Sequence, residues 1–267
     1  MIRAVIPALL LCAPVFAREI APADLAGAML GAQVVVLGEV HDNPAHHAHQ
    51  AQAVAALRPA ALVFEMLTPE QAARATPDLR DDAAALAAAL EWERSGWPDF
   101  AMYHPIFAAA RGARVYGAAL PRDAVRRSVA EGAAAVFGPD APRFGLDRPL
   151  PAPEQALREA EQMEAHCRAM PEDLMPGMVE AQRLRDAALA EAALQALADT
   201  GGPVAVIAGS GHARSDWGVP ALIRLAEPGI TVLSVGQVEA PAAPDQPFDR
   251  WIVTPPAERD DPCAALR

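Results

Sequence analysis

Residues 32–50 read AQVVVLGEVHDNPAHHAHQ. After Ala32 and Gln33, positions 34–37 are an unbroken run of apolar residues, three of them β-branched valines. A strand with one wet face would alternate; an unbroken run is what a strand covered on both faces requires. A polar turn at Gly38-Glu39-Val40-His41-Asp42 ends the run, and a helical pattern follows over roughly 44–58. Strand, polar turn and helix together form the first half of a βαβ unit.

The same pattern recurs outward along the chain. Apolar runs at 60–66, 113–120, 203–209 and 230–236 predict further buried strands, and RWIVT at 250–254 predicts a sixth, at an edge. Helical patterns lie between them, at roughly 68–94, 99–111, 121–135, 153–170, 172–199 and 216–227. Alternating strands and helices specify an α/β fold, a mostly parallel sheet with helices on both faces. The interval between the third and fourth strands is long. It opens with the Pro-rich FGPDAPRFGLDRPLPAP (137–153) and continues as two helices, predicting a helical insertion at about 140–200 that would act as a lid or an interface.

In a parallel sheet the C-terminal ends of the strands carry the site-building loops. The first strand delivers Glu39 and His41 there, the second Glu65, and the fourth runs into Gly209-Ser210-Gly211-His212. Glu39, His41, Glu65 and His212 therefore converge on one rim, as metal ligands or as the acid and base of a hydrolase. Asp42 and Glu39 have the plainer alternative of favouring the start of the next helix. Glu65 closes an apolar strand, where a carboxylate needs a partner or a raised pKa. On the helix after the first strand, His46, His47 and Gln50 share a face with Val54 and Leu57, so they look toward the sheet and back the rim, orienting His41 or Glu39. His49 points elsewhere, toward solvent.

Two further groups carry chemistry. In QMEAHCRAM (162–170), Met163, His166, Cys167 and Met170 fall on one helical face, a soft set suited to copper or haem iron, or an ordinary core face. In FAMYHPIF (100–107), Tyr103 is of a type that ligates haem iron, or it fixes its helix to the rim by one hydrogen bond.

The N-terminus pairs Arg3 with an apolar stretch at 4–12 and small residues before position 18. This predicts a cleaved signal peptide at 1–17, one α/β domain at 18–267, and a periplasmic protein. Cys12 suggests lipid anchoring as an alternative, which bulky Leu11 disfavours. Cleavage leaves Cys167 and Cys263, and an oxidising compartment would permit a disulfide between them. All 22 basic residues are arginine and the net charge is -12, which argues against nucleic acid as a partner.

LGEVHDNPAHHAHQ, FEMLTPEQ, YHPIF, EAQRLRDAALA and AGSGHARSDWGVP together resemble the bacterial ChaN family, within a superfamily that includes Tiki proteases and erythromycin esterases. Leu189-Ala190 stands where the family usually has Met-Ala. The resemblance implies an exported protein that binds haem or iron in its uptake, with Tyr103, His166, Cys167, Met170 or a rim histidine at the iron. Its partners would be haem or another small molecule, a second copy of the chain, and an outer-membrane haem or iron transporter. It also implies the superfamily's Glu/His set, here Glu39, His41, Glu65 and His212. The spacing of Glu39 and His41 differs from that of the esterases by one residue. The alternatives are a hydrolase using a divalent metal on that rim, and copper binding by the Met-His-Cys face.

Overall fold

The computed structural model describes residues 17–261, 263 and 264. The predicted signal peptide and Cys12 lie outside the described residues, apart from Ala17. Seven strands, β1 (Arg18–Glu19), β2 (Val34–Glu39), β3 (Ala61–Phe64), β4 (Arg114–Gly117), β5 (Val204–Gly209), β6 (Val232–Glu239) and β7 (Arg250–Thr254), form one sheet. Every pair is parallel, in the order β1-β7-β6-β2-β5-β3-β4.

The unbroken apolar run explains itself once both faces are seen. Val35 and Leu37 enter one core with Leu62, Phe64, Ala205 and Ile207, under the helices Pro44–Leu57 and Phe100–Ala109. Val34 and Val36 enter the opposite core with Val63, Val204 and Val206, under the helices Met175–Thr200 and Val219–Ala226. Successive side chains point to opposite faces, so a strand covered on both sides has no position for a polar residue.

Three expectations change. β7 is not an edge strand, because two residues of β1 pair beyond it. The pattern at 68–94 breaks into short pieces: Thr68 and Gln71 form a capping box before Pro69–Ala73, and Asp82 caps Ala83–Ala89. The helix predicted over 153–170 ends at Ala165, since Cys167 and Arg168 hold φ of 58° and 54°, outside any right-handed helix.

The insertion also divides in role. Its last helix, Met175–Thr200, buries Ala187, Ala190 and Ala193 against the sheet and is the crossover that returns the chain to β5. Only Ala152–Ala165 and its flanks stand outside this framework. Cys167 and Cys263 are joined by a disulfide, which ties that outer part to the C-terminal tail. Among the described residues, no helix is long and apolar enough to cross a membrane.

Candidate functional site

β2 and β5 are adjacent at the sheet centre, and Glu39 pairs in register with Gly209. From β2 the chain moves toward β3, and from β5 it crosses to β6 on the other side. The C-terminal ends of β2 and β5 are therefore the place where connections diverge, which is where open α/β sheets form their sites. The four rim residues meet there as two carboxylate–imidazole pairs.

The first pair is Glu39 and His41. Glu39 is buried, and its Oε1 lies 2.8 Å from His41 Nδ1 and accepts the Tyr103 hydroxyl at 2.9 Å. That contact makes Nδ1 the protonated nitrogen of His41. Its Nε2 takes no hydrogen bond among the described residues, and the side chain keeps 35% exposure. The ring packs against Trp97, with centroids 4.8 Å apart. Burial alone would lower the His41 pKa; the Glu39 hydrogen bond and the Glu65 charge outweigh it, and the pKa is raised. A Cβ at residue 209 would lie 2.9 Å from His41 Nε2, so only glycine leaves room for this ring.

Behind this pair stands His47. Its Nε2 donates to the His41 carbonyl at 2.8 Å, and its Nδ1 lies 3.3 Å from Glu39 Oε2. His46 is different. Its Nδ1 accepts from the Val40 amide at 2.8 Å, its Nε2 meets Thr254 Oγ1 at 2.7 Å, and burial lowers its pKa to about 4. It is a neutral residue that fixes the turn after β2. Gln50 donates to the Leu37 carbonyl and braces the end of β2.

The second pair is Glu65 and His212. Glu65 Oε2 accepts the Gly209 amide at 2.7 Å, and its Oε1 lies 3.3 Å from His212 Nε2. His212 Nδ1 lies 2.6 Å from Asp186 Oδ1. Burial would lower the His212 pKa, but two carboxylates raise it to about 10. Burial would raise that of Glu65, but His212 and the Gly209 amide bring it to about 2. His212 is thus a buried imidazolium with a proton on each nitrogen. Among the described residues no group of three or more His, Cys, Asp or Glu is arranged to hold a metal ion.

The remaining predicted residues are placed as follows. Asp42 neither caps the helix nor touches the rim; it is exposed and pairs with Arg259 at 2.7 Å, while Asn43 supplies the cap. His49 is half-buried and bonds Gln237 Oε1 rather than facing open solvent. Tyr103 is wholly buried with its hydroxyl on Glu39, the arrangement in which it fixes its helix to the rim. Burial and the Glu39 carboxylate push its pKa upward, away from phenolate. His166 Nδ1 bonds the Gln162 carbonyl. The end of the helix at Ala165 separates Met163 from Cys167 and Met170, and the disulfide removes the Cys167 thiolate. The soft-ligand face that copper would need is therefore not formed.

Sequence reading missed two contributors. Asp186 is a single acid on the buried face of an Ala-rich helix, a signal present in EAQRLRDAALA. Trp97 comes from an irregular stretch with no periodicity to mark it. Trp97, whose ring packs against His41, and Glu65 also line a cleft of about 840 Å³.

A family model described as haem-binding uptake, Tiki superfamily, ChaN matches residues 25–223. No curated protein matches the sequence. Among solved structures, ChaN of Campylobacter jejuni, described for its cofacial haem binding, aligns with a TM-score of 0.62 at 22% identity, over 82% of this chain and 86% of that one. The type III effector HopBA1 aligns with a TM-score of 0.50 at 15% identity, over 89% and 95%. At these identities the likeness is one of fold. An erythromycin esterase mutant in its open conformation reaches only 0.42 at 13% identity, over 85% and 77%, and carries no argument.

Proposed function

The chain belongs to the ChaN family of haem-binding uptake proteins, and from that premise we propose that it binds haem at the rim, with His41 as the iron ligand. One observation carries this reading: Glu39 holds His41 Nδ1 at 2.8 Å and leaves Nε2 without a hydrogen bond among the described residues, while Trp97, packed against the ring, lines a neighbouring cleft. A ligating histidine characteristically donates its other N–H to a carboxylate, which fixes the tautomer and makes the free nitrogen a better donor. Trp97 offers a flat apolar wall next to that nitrogen. Tyr103 and His47 serve the site by holding Glu39.

We also propose that the protein works outside the cytoplasm, in haem or iron uptake or handling. The N-terminal pattern of residues 1–17 and the Cys167–Cys263 disulfide support an oxidising compartment. Bulky Leu11 before Cys12 favours a soluble periplasmic form over a lipid-anchored one. A second copy of the chain and an outer-membrane transporter are the proposed partners.

The test is haemin titration followed by the Soret band. The expected result is a shifted, saturable band for the native protein that His41→Ala loses. An unchanged band in His41→Ala would overturn the assignment of the ligand, and no shift in the native protein would overturn haem binding itself.

A second reading, hydrolysis without a metal, is favoured by the two carboxylate–imidazole pairs facing each other across Gly209. His41 would take a proton from water at Nε2, and His212 would supply positive charge. Turnover of ester or peptide substrates that His41→Ala abolishes would support it. Absence of turnover across such a panel would count against it.

A further inference from the structure

The cleft lined by Trp97 and Glu65 has an uncommon electrostatic lining. Arg122 and Arg126 lie one helical turn apart on the helix Arg122–Glu131, and Arg185 faces them from Met175–Thr200. None of the three has an ion-pair or hydrogen-bond partner among the described residues, although the chain carries 34 acidic residues against 22 basic ones. Their neighbours are paired: Arg127 with Glu131, Arg183 with Glu180, and Arg94 with Glu91. Like charges one turn apart repel, and a third from a facing helix adds to that repulsion. In so acidic a chain, three exposed arginines gathered with no carboxylate paired to them mark a place where the counter-charge comes from outside.

The rest of the wall mixes the apolar Trp97, Leu120, Val125 and Leu189 with the polar Thr68, Gln71 and Ser95. At the inner end lies Glu65, whose charge is already balanced by His212 and the Gly209 amide. The cleft therefore has a basic side facing an aromatic and aliphatic strip, and Trp97 in that strip packs against the His41 ring. We propose that it orients an amphipathic dicarboxylate, and that Arg122, Arg126 and Arg185 bind the two propionate groups of haem while its macrocycle lies along Trp97. The proposal rests on haem being the ligand. It goes further in assigning orientation and in making carboxylate recognition separable from iron ligation. Arginine suits this role because its planar fork takes a carboxylate by two parallel hydrogen bonds.

The experiment compares three probes by absorbance and fluorescence titration of the full chain: haemin, haemin dimethyl ester and iron-free protoporphyrin IX. The variants are Arg122→Ala/Arg126→Ala, Arg185→Ala and His41→Ala, each checked for native circular dichroism and melting. The native protein is expected to bind haemin at least about tenfold more tightly than its diester, the scale of one charge-assisted hydrogen bond. The arginine variants are expected to lose that preference and to weaken for protoporphyrin IX as well. His41→Ala is expected to lose the iron-ligation spectrum yet to bind protoporphyrin IX as the native protein does. Equal native affinity for haemin and its diester, or native haemin affinity in the arginine variants, would overturn the proposal while leaving haem binding intact. Failure of the native protein to bind either haemin or protoporphyrin IX would overturn both.

Discussion

The Tyr103 hydroxyl donates to Glu39 Oε1 at 2.9 Å, and the same oxygen lies 2.8 Å from His41 Nδ1. One buried carboxylate oxygen thus anchors the helix Phe100–Ala109 and aims the imidazole. Tyr103→Phe removes one donor to a buried charge, worth about 1.5–3 kcal/mol. The melting temperature is expected to fall by several degrees. Haemin affinity should fall only modestly, with an unchanged Soret position. Complete loss of the Soret shift would mean that the phenol itself reaches iron, against its burial.

Gly209→Ala tests the geometry of the rim without touching its charges. The added methyl would lie 2.9 Å from His41 Nε2 and 3.6 Å from Glu65 Oε2. The ring must turn off its hydrogen bond to Glu39. Haemin binding is expected to fall toward the level of His41→Ala while circular dichroism stays native. Retention of native haemin affinity would show that His41 is not held where the structure has it.

Much of this arrangement was legible in the sequence, for a physical reason. β2 and β5 are covered on both faces, so their apolar runs are unbroken, and a polar residue can enter only where the strand ends. Glu39, Glu65 and His212 are therefore visible as the residues that stop an apolar run. The face shared by His46, His47 and Gln50 was equally visible, because a helix packed on a sheet repeats every turn. What periodicity does not encode is pairing. Nothing in the spacing of His212 tells that Asp186 will meet it, nor that Asp42 will turn outward to Arg259. The helix end at Ala165 was hidden because Cys167 and Arg168 adopt positive φ without the glycine that usually announces it.

The Glu65–His212 pair makes stability depend on pH in a defined way. His212 is raised from 6.5 to about 10, so its contribution is complete below pH 6.5 and is lost as pH climbs toward 10. Glu65 is lowered from 4.5 to about 2, so its contribution is complete above pH 4.5 and is lost as pH falls toward 2. His46 is lowered from 6.5 to about 4, so it costs stability as pH drops through that interval. The combined contribution of these three groups is greatest near pH 6.5. His212→Gln is expected to flatten the alkaline limb of melting temperature against pH and leave the His46 contribution between pH 6.5 and 4 in place. An unaltered alkaline limb would mean that the imidazolium is not buried between its two carboxylates.

The C-terminal tail is held at two levels, and the two can be separated. Arg259 bridges Asp42 and Glu239, and Asn43 donates to the Pro255 carbonyl at 3.1 Å. Beyond them, Cys263 is bonded to Cys167, 96 residues away in sequence. A cross-link over that span stabilises chiefly by restricting the unfolded chain, typically by about 2–4 kcal/mol. Cys263→Ser is therefore expected to lower the melting temperature while the segment before residue 260 stays protected, because the ion pairs still hold it. Arg259→Ala alone should leave the tail tethered at its far end. Only the double variant is expected to yield rapid proteolytic cleavage between β7 and residue 263, read by mass spectrometry. Rapid cleavage in Cys263→Ser alone would show that the Arg259 bridge does not hold the tail against the turn after β2.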